Sequence, residues 1–392
     1  MSKKLFLLDA MALIFRAYYA LIRNPRITSQ GKNTNAQFGF TNTLVDLLNN
    51  QQPTHLAVCF DTQAPTERHT DYAEYKSNRQ EAPEDLLDSI PDIKEIIKGF
   101  NLPVIELDGY EADDIIGTLA LQAAQQGYEV QMVTSDKDYG QLVSEQIKIY
   151  KPGYQGGDAE ILGPKEVCAK WNIKEVSQVI DMLGLMGDAV DNIPGIPGVG
   201  EKTAAKLLAE YGTLENVLQH ADQIKGALGE KVRKGKDAAV LSKKLATIIT
   251  KVPIQFQEND FTVRESNKEA LKKIFTELEF RTLGQRLLGE NLPVLSKKGG
   301  AEKRQPEVVQ TDLFGNRLPV AVDEKVTTEG VPDLSLTPTS LQNITTTPHR
   351  YTAVSEPAAL RKLIQELEAQ NEICFDTETT HIDANTAELV GL

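Results

Sequence analysis

The chain has 392 residues, more than one hydrophobic core usually holds, so two or three domains are expected. Its apolar fraction, 41%, is that of a globular chain, and a formal net charge of -14 argues at first sight against a nucleic-acid partner, whose phosphates need a basic surface. Cys59, Cys168 and Cys374 are scattered and form no CxxC pair, which argues against a disulfide framework and a cysteine zinc site and makes a reducing cytoplasm the expected location. Asp9 interrupts the first apolar run too early for a signal peptide, and no run approaches the length of a membrane span. Net charge is a sum over faces, however, so acids gathered at one site leave room for a locally basic surface elsewhere.

Short apolar runs alternate with helical patterns, as in an α/β protein with a mostly parallel sheet flanked by helices. "KKLFLLD" reads as a buried strand ending at Asp9, followed by the helical stretch "FGFTNTLVDLL". "THLAVCFD" is a second strand, ending at Asp61, and "DLLDSIPDIKEIIKGF" a second helical stretch. The short strand "LPVIEL" leads to "GYEADDII", where Glu111, Asp113 and Asp114 crowd the start of a helix that Gly127 closes. "YEVQMVTSD" is a further strand, ending at Asp136, with Asp138 two residues on. In an open parallel sheet, ligands collect at the carboxyl ends of the strands, so the terminal aspartates should converge at one edge.

The acids are the informative pattern. Asp188 and Asp191 in "GLMGDAVDNIPG" join Asp9, Asp61, Glu111, Asp113, Asp114, Asp136 and Asp138, giving nine carboxylates at element ends. Any one cluster alone reads as helix caps and solvated residues. A helix dipole contributes only about 0.3–1 kcal/mol, too little to keep several converging carboxylates ionised. No histidine accompanies them: His55, His69, His220, His349 and His381 are isolated and read as surface or half-buried residues. Oxygen-only ligation selects a hard cation, Mg²⁺ or Mn²⁺, and the excess of carboxylates suggests two ions, as in phosphodiester hydrolysis.

In "DNIPGIPGVGEKTAAKLLAEYG", Gly195, Gly198 and Gly200 punctuate a tight hairpin, and a helix starts at about Lys202. Free backbone N–H groups and a helix amino terminus suit a phosphodiester oxygen and read no bases. Taken alone the glycines mark only a turn; beside the acids they read as a helix-hairpin-helix DNA clamp. Downstream, Lys231, Arg233, Lys234 and Lys236 form a basic stretch that either tracks a duplex backbone or is a solvated helix face.

Over about residues 3–290 the sequence resembles the amino-terminal 5′ nuclease domain of bacterial DNA polymerase I, a relative of the flap endonucleases. The blocks that carry the resemblance are "LLDAMALIFRAYYA", "VCFDTQAPTERH", "YKSNRQEAPEDL", "GYEADDIIGTLA", "VTSDKDYGQLV" and "GLMGDAVDNIPGIPGVGEKTAAKLL". The resemblance implies a PIN-like α/β fold, with Asp9, Asp61, Glu111 and Asp113 around one metal and Asp136, Asp138 and Asp191 around a second. Asp113 could bridge, and Asp114 and Asp188 match further acids with outer-sphere or third-ion roles. It also implies an arch over the site in which Lys76 and Arg79 neutralise charge on the scissile phosphate. Arg16 would hold a phosphate and Phe15, which alone reads as core, would stack on the base beside the cut. K⁺ is expected at the helix-hairpin-helix.

Residues 291–350 are rich in Thr, Pro and charge and read as a linker. Within it, Gln310, Leu313 and Phe314 resemble a sliding-clamp-binding motif, with Thr311 departing from the usual Leu. From Tyr351 an amphipathic helix and the strand "EICFDTET", carrying Asp376 and Glu378 on one side, resemble the start of an RNase H-like 3′ exonuclease-type domain. The expected division is therefore 1–175 catalytic, 176–290 helix-hairpin-helix, 291–350 linker and 351–392 a truncated exonuclease-like start. The expected function is metal-dependent removal of 5′ flaps and RNA primers on nicked or gapped DNA by a soluble monomer, within a longer polymerase. The alternative is a DNA-binding scaffold too degraded for turnover, which the acidic identity of all the principal ligand positions disfavours.

Overall fold

The computed structural model describes residues 3–79, 81–153, 157–289 and 292, together with 361, 362, 364, 365, 378, 379 and 389–391. The chain divides into two units, Met1–Ala301 and Glu302–Leu392. In the second, a strand Glu378–Thr379 pairs antiparallel with Leu389–Gly391. The linker, its clamp-like motif at Gln310, Leu313 and Phe314, and Asp376 lie outside the described residues.

The first unit carries strands β1 (Lys4–Asp9), β2 (His55–Cys59), β3 (Val104–Ile105), β4 (Glu129–Val133), β5 (Ile147–Lys151) and β6 (Glu160–Leu162). Its helices are α1 (Ala10–Ala20), α2 (Asn35–Asp46), α3 (Glu67–Asp71), α4 (Glu84–Leu87), α5 (Ser89–Gly99), α6 (Ala112–Gln125) and α7 (Pro164–Trp171). Beyond these follow α8 (Gln178–Met186), α9 (Glu201–Tyr211), α10 (Leu214–Gln219), α11 (Gly226–Lys234), α12 (Lys236–Ala246), α13 (Glu258–Phe261), α14 (Lys268–Glu277) and α15 (Arg281–Leu288). The sheet order is β3-β2-β1-β4-β5-β6, parallel except for the antiparallel β5–β6 edge.

Strand alternation sorts the apolar residues. Leu5, Leu7, Ala57, Cys59, Val130 and Met132 face one layer with Ile115, Ile116 and Leu119 of α6. Phe6, Leu8, Leu56, Val58 and Val133 face the other with Ile14, Phe40 and Ile97. Each aliphatic side chain buried to this degree contributes about 1.5–3 kcal/mol. The predicted helix over 85–100 is broken at Asp88 into α4 and α5. Pro91 has no N–H for the Leu87 carbonyl, so a new helix begins with proline in its first turn.

One core cluster runs from the sheet and α6 into α8, α9 and α12, across the expected boundary at residue 175. A polar stripe joins the same parts. Asp114, Thr118 and Gln122, spaced four apart and so on one face of α6, bind the chain that returns from α12. Ile249 N–H donates to Asp114 (2.7 Å), Val252 N–H to Thr118 (3.2 Å), and Phe256 N–H to Gln122 (2.7 Å).

Candidate metal centre

Strand order reverses between β1 and β4, both of which pair with parallel neighbours on opposite sides, the place where an open sheet of this kind forms a crevice at its carboxyl ends. Asp9 ends β1 and caps α1, accepting from Ala12 N–H (3.1 Å) and from the Thr134 hydroxyl (2.8 Å) just past β4. Asp61 lies two residues past β2 and accepts the Ala112 N–H (2.9 Å) at the start of α6. Glu111 is the N-cap of α6, in a capping box with Asp114. The crowding at 111–114 thus has a first local cause: acids satisfy and electrostatically suit a helix amino terminus.

Glu111 accepts from the Lys76 ammonium (2.7 Å) and the Tyr75 hydroxyl (3.2 Å). Burial pushes its carboxyl up, but Lys76 and Arg68 outweigh that and hold it below the usual range. Lys76 also stands 4.0 Å from Asp191, so one ammonium spans the two expected ligand groups. Arg79 donates through Nε to Asp191 (3.1 Å), and Lys137 pairs with Asp188 (2.6 Å).

The remaining acids carry less compensation. Burial, then repulsion from Asp61, pushes Asp9 up to about 7. Burial, then repulsion from Asp136 and Asp188, pushes Asp138 up to about 8. Asp136 is raised by burial and by Asp191, and Asp113 by burial and by Asp114 and Glu111. Asp138 Oδ1 is buried without a hydrogen-bond partner. Among the described residues no group of three or more His, Cys, Asp or Glu side chains is already gathered around one point. An all-oxygen donor set with a buried unpartnered carboxylate oxygen nevertheless fits hard divalent cations.

A cavity of about 250 Å³ adjoins the crevice, lined by Met11, Phe15, Asp61, Lys76, Arg79 and Glu111 among others. Phe15 is therefore a cavity wall rather than plain core, and its ring stacks on Tyr19 (centroids 6.3 Å, 17°).

Four expected site residues have other partners or surroundings. Asp114 is fully buried and its oxygens accept from Arg68 (2.7 and 2.9 Å), Glu111 N–H (3.2 Å) and Ile249 N–H (2.7 Å). With its lone pairs committed, it anchors α6 and is not a metal ligand. Arg16 is turned to the Gly153 carbonyl. Gly195 is buried, with φ 60°, and a Cβ there would meet Gly187 N at 2.3 Å, so it serves the chain crossing and not a phosphate. Gly198 is exposed, but with φ 76° and the Lys231 ammonium donating to its carbonyl (3.2 Å). Gly200 and Lys202 remain exposed at the start of α9, with open space beside Gly200.

Arg68, Thr134 and Lys137 join the site through Asp114, Asp9 and Asp188 without a sequence pattern of their own. Arg68 is 4% exposed and also donates to the carbonyls of Leu245 (3.0 Å) and Thr247 (3.1 Å). His55, expected at the surface or half-buried, is buried against Tyr128 and Phe256. Among the described residues no helix is long and apolar enough to cross a membrane.

Residues 4–172 match the family described as 5′-3′ exonuclease, N-terminal resolvase-like domain, and residues 174–269 match 5′-3′ exonuclease, C-terminal SAM fold. DNA polymerase I of Bacillus caldotenax is 41% identical over 291 residues, covering 73% of this chain and 32% of that one. DNA polymerase I of a Synechocystis species is 34% identical, covering 100% of this chain and 42% of that one. The chain thus spans between about a third and two fifths of the length of these relatives. The fold is also that of a zinc-bound bacteriophage T5 5′-exonuclease, with TM-score 0.54 at 18% identity, covering 73% of this chain and 98% of that one. The catalytic core of Rad2 in complex with DNA substrate matches with TM-score 0.51 at 15% identity, covering 73% and 91%. The two matched blocks run through the carboxylate crevice and the hairpin in turn, and the chain belongs to the 5′-3′ exonuclease family, residues 4–269 being a 5′-3′ exonuclease domain of the kind found in bacterial DNA polymerase I.

Proposed function

We propose that the crevice holds two Mg²⁺ ions, for which Mn²⁺ can substitute, and that the chain hydrolyses phosphodiester bonds at 5′ flaps and RNA primers within a DNA polymerase of replication and repair. The observation that carries the reading is the convergence of two carboxylate groups at the strand-order reversal, spanned by Lys76 and including the unpartnered Asp138 oxygen. Asp9, Asp61, Glu111 and Asp113 would hold one ion and Asp136, Asp138 and Asp191 the other, with Asp188 behind them. When bound, such ions supply an activated water and stabilise the leaving oxygen.

The chain's own residues do the rest. Lys76 and Arg79 carry fixed positive charge to the reacting phosphate, and Phe15 offers a ring face on which a base of any identity stacks. The N–H groups at Gly198 and Gly200, with Lys202 and the start of α9, hold a duplex phosphate, with K⁺ beside them. Residues 1–175, joined by Asp188 and Asp191, thereby supply chemistry, and the remainder of 176–290 duplex binding. The zinc of the T5 enzyme and the DNA of the Rad2 complex support the reading. In the longer polymerase, 291–350 link this nuclease to a 3′ exonuclease-type domain beginning at 351, and Gln310, Leu313 and Phe314 tether a monomeric enzyme to its sliding clamp.

The test is incubation with a labelled 5′-flap duplex in Mg²⁺ or in EDTA. Cleavage near the flap base in Mg²⁺ alone is expected. Equal cleavage in EDTA removes the metal from the account, and none in either condition leaves the scaffold reading.

A further inference from the structure

The turn that carries Lys76 and Arg79 has almost no apolar anchorage. Between Tyr72 and Arg79 only Tyr75 is buried, while Glu74, Ser77, Asn78 and Arg79 are exposed. Lys76 nevertheless holds φ 58°, a left-handed conformation that a long side chain adopts only when its surroundings impose it. Those surroundings are a second loop, Asp188–Ile193, more than a hundred residues away in sequence and closed on itself by paired backbone hydrogen bonds between Asp188 and Ile193 (2.8 and 2.9 Å).

Three backbone or amide groups fasten the two loops. Lys76 N–H donates to the Asp191 carbonyl (3.0 Å), and Asn78 Nδ2 to the Ala189 carbonyl (2.6 Å). Asn192 Nδ2 donates to both the Glu74 carbonyl (2.7 Å) and the Ser77 hydroxyl (3.2 Å), gripping the turn on either side of Lys76. Asn192 itself has φ 56°, a region asparagine tolerates better than other side chains. The residue type thus meets two demands at once: a left-handed corner, and an amide donor aimed across the gap.

We propose that Asn192 is a positioning residue for the nuclease reaction, latching the Lys76–Arg79 turn onto the loop that bears Asp188 and Asp191. The proposal rests on the nuclease reading above and deepens it. The latch fixes where the two cationic side chains stand relative to the carboxylates, so that phosphate neutralisation and the acidic loop move as one body. Its contribution falls on the rate at saturating substrate and not on duplex affinity, because the hairpin that holds the duplex lies beyond Gly195.

Two substitutions separate the amide from the backbone. Asn192→Gly keeps the left-handed corner and removes the donor, and Asn192→Asp keeps size and replaces the donor with an acceptor. In the whole chain without added metal, limited trypsin cleavage after Lys76 and Arg79 should rise roughly tenfold in both variants, the scale of losing one or two hydrogen bonds. Cleavage elsewhere in 3–289 should be unchanged. In Mg²⁺, single-turnover flap cleavage should fall roughly tenfold while flap affinity stays within about twofold. In a Lys76→Ala, Arg79→Ala background, Asn192→Gly should cause no further loss, since both groups it positions are gone. Unchanged trypsin sensitivity and cleavage rate in both variants overturn the proposal, as does an equal proportional loss in the Lys76→Ala, Arg79→Ala background. Failure of the unaltered chain to cleave defeats the nuclease reading alone, and the trypsin comparison still decides the latch.

Discussion

Replacing Arg68 with methionine tests how the start of α6 is held. Arg68 fills a buried position, and its guanidinium satisfies both oxygens of Asp114 and the carbonyls of Leu245 and Thr247. Methionine matches much of the volume but leaves a fully buried carboxylate without its cation. Breaking one side of a buried pair costs about 3–5 kcal/mol, and the two orphaned carbonyls raise the total toward the upper end of that range. Spread over a domain of this size, such a loss lowers the thermal midpoint by roughly 10 °C. Urea unfolding of Arg68→Met beside the unaltered chain measures it. An Arg68→Met, Asp114→Leu double variant should recover only part of the loss, because no lone charge then remains buried but the Glu111 and Ile249 N–H groups lose their acceptor. A single-variant loss below about 1 kcal/mol would refute the reasoning, since Asp114 would then have another source of compensation.

Asp136→Asn should abolish cleavage while leaving flap binding intact or tighter, measured by gel cleavage and anisotropy on the same duplex; near-normal turnover at saturating Mg²⁺ would rule out a ligand role. Gly200→Val should leave the thermal midpoint nearly unchanged, since a Cβ there meets nothing within 4 Å, yet lower duplex affinity roughly tenfold by blocking phosphate approach. Gly198→Val is the poorer probe, because φ 76° makes it cost folding as well. His55 is held below its ordinary 6.5 by burial, with Glu258 opposing and Lys3 reinforcing the shift. The unfolded chain therefore takes up the proton first, so its stabilising contribution is complete above 6.5 and is lost as pH falls through the folded value; His55→Gln should flatten that slope in urea unfolding between pH 7 and 5.

The sheet was legible where apolar runs are continuous. Leu5–Leu8 and Leu56–Val58 are buried on both faces of a central parallel strand, which leaves a continuous apolar run in place of alternation. β5 and β6 left none: "IKIYK" carries half-buried lysines, and its partner is a three-residue antiparallel edge. The convergence of acids was legible because strand ends share an edge, but their roles were not. Asp113 and Asp114 are neighbours in sequence, yet one helical step turns Asp114 into the polar stripe with Thr118 and Gln122. Arg68 gave no local sign, since its acceptors lie 46, 177 and 179 residues away. The three hairpin glycines look alike in sequence and differ in burial, with Gly195 inside and Gly198 and Gly200 outside.

The central claim is that the carboxylates at the β1–β4 reversal bind two divalent ions. Titration of the whole chain with Mn²⁺, followed by electron paramagnetic resonance of the free ion, measures it without substrate or turnover. Two ions per chain are predicted for the unaltered protein and one for Asp138→Asn, whose buried oxygen has no other partner. Saturation at no ion, or the same stoichiometry and affinity in Asp138→Asn as in the unaltered chain, would contradict the account.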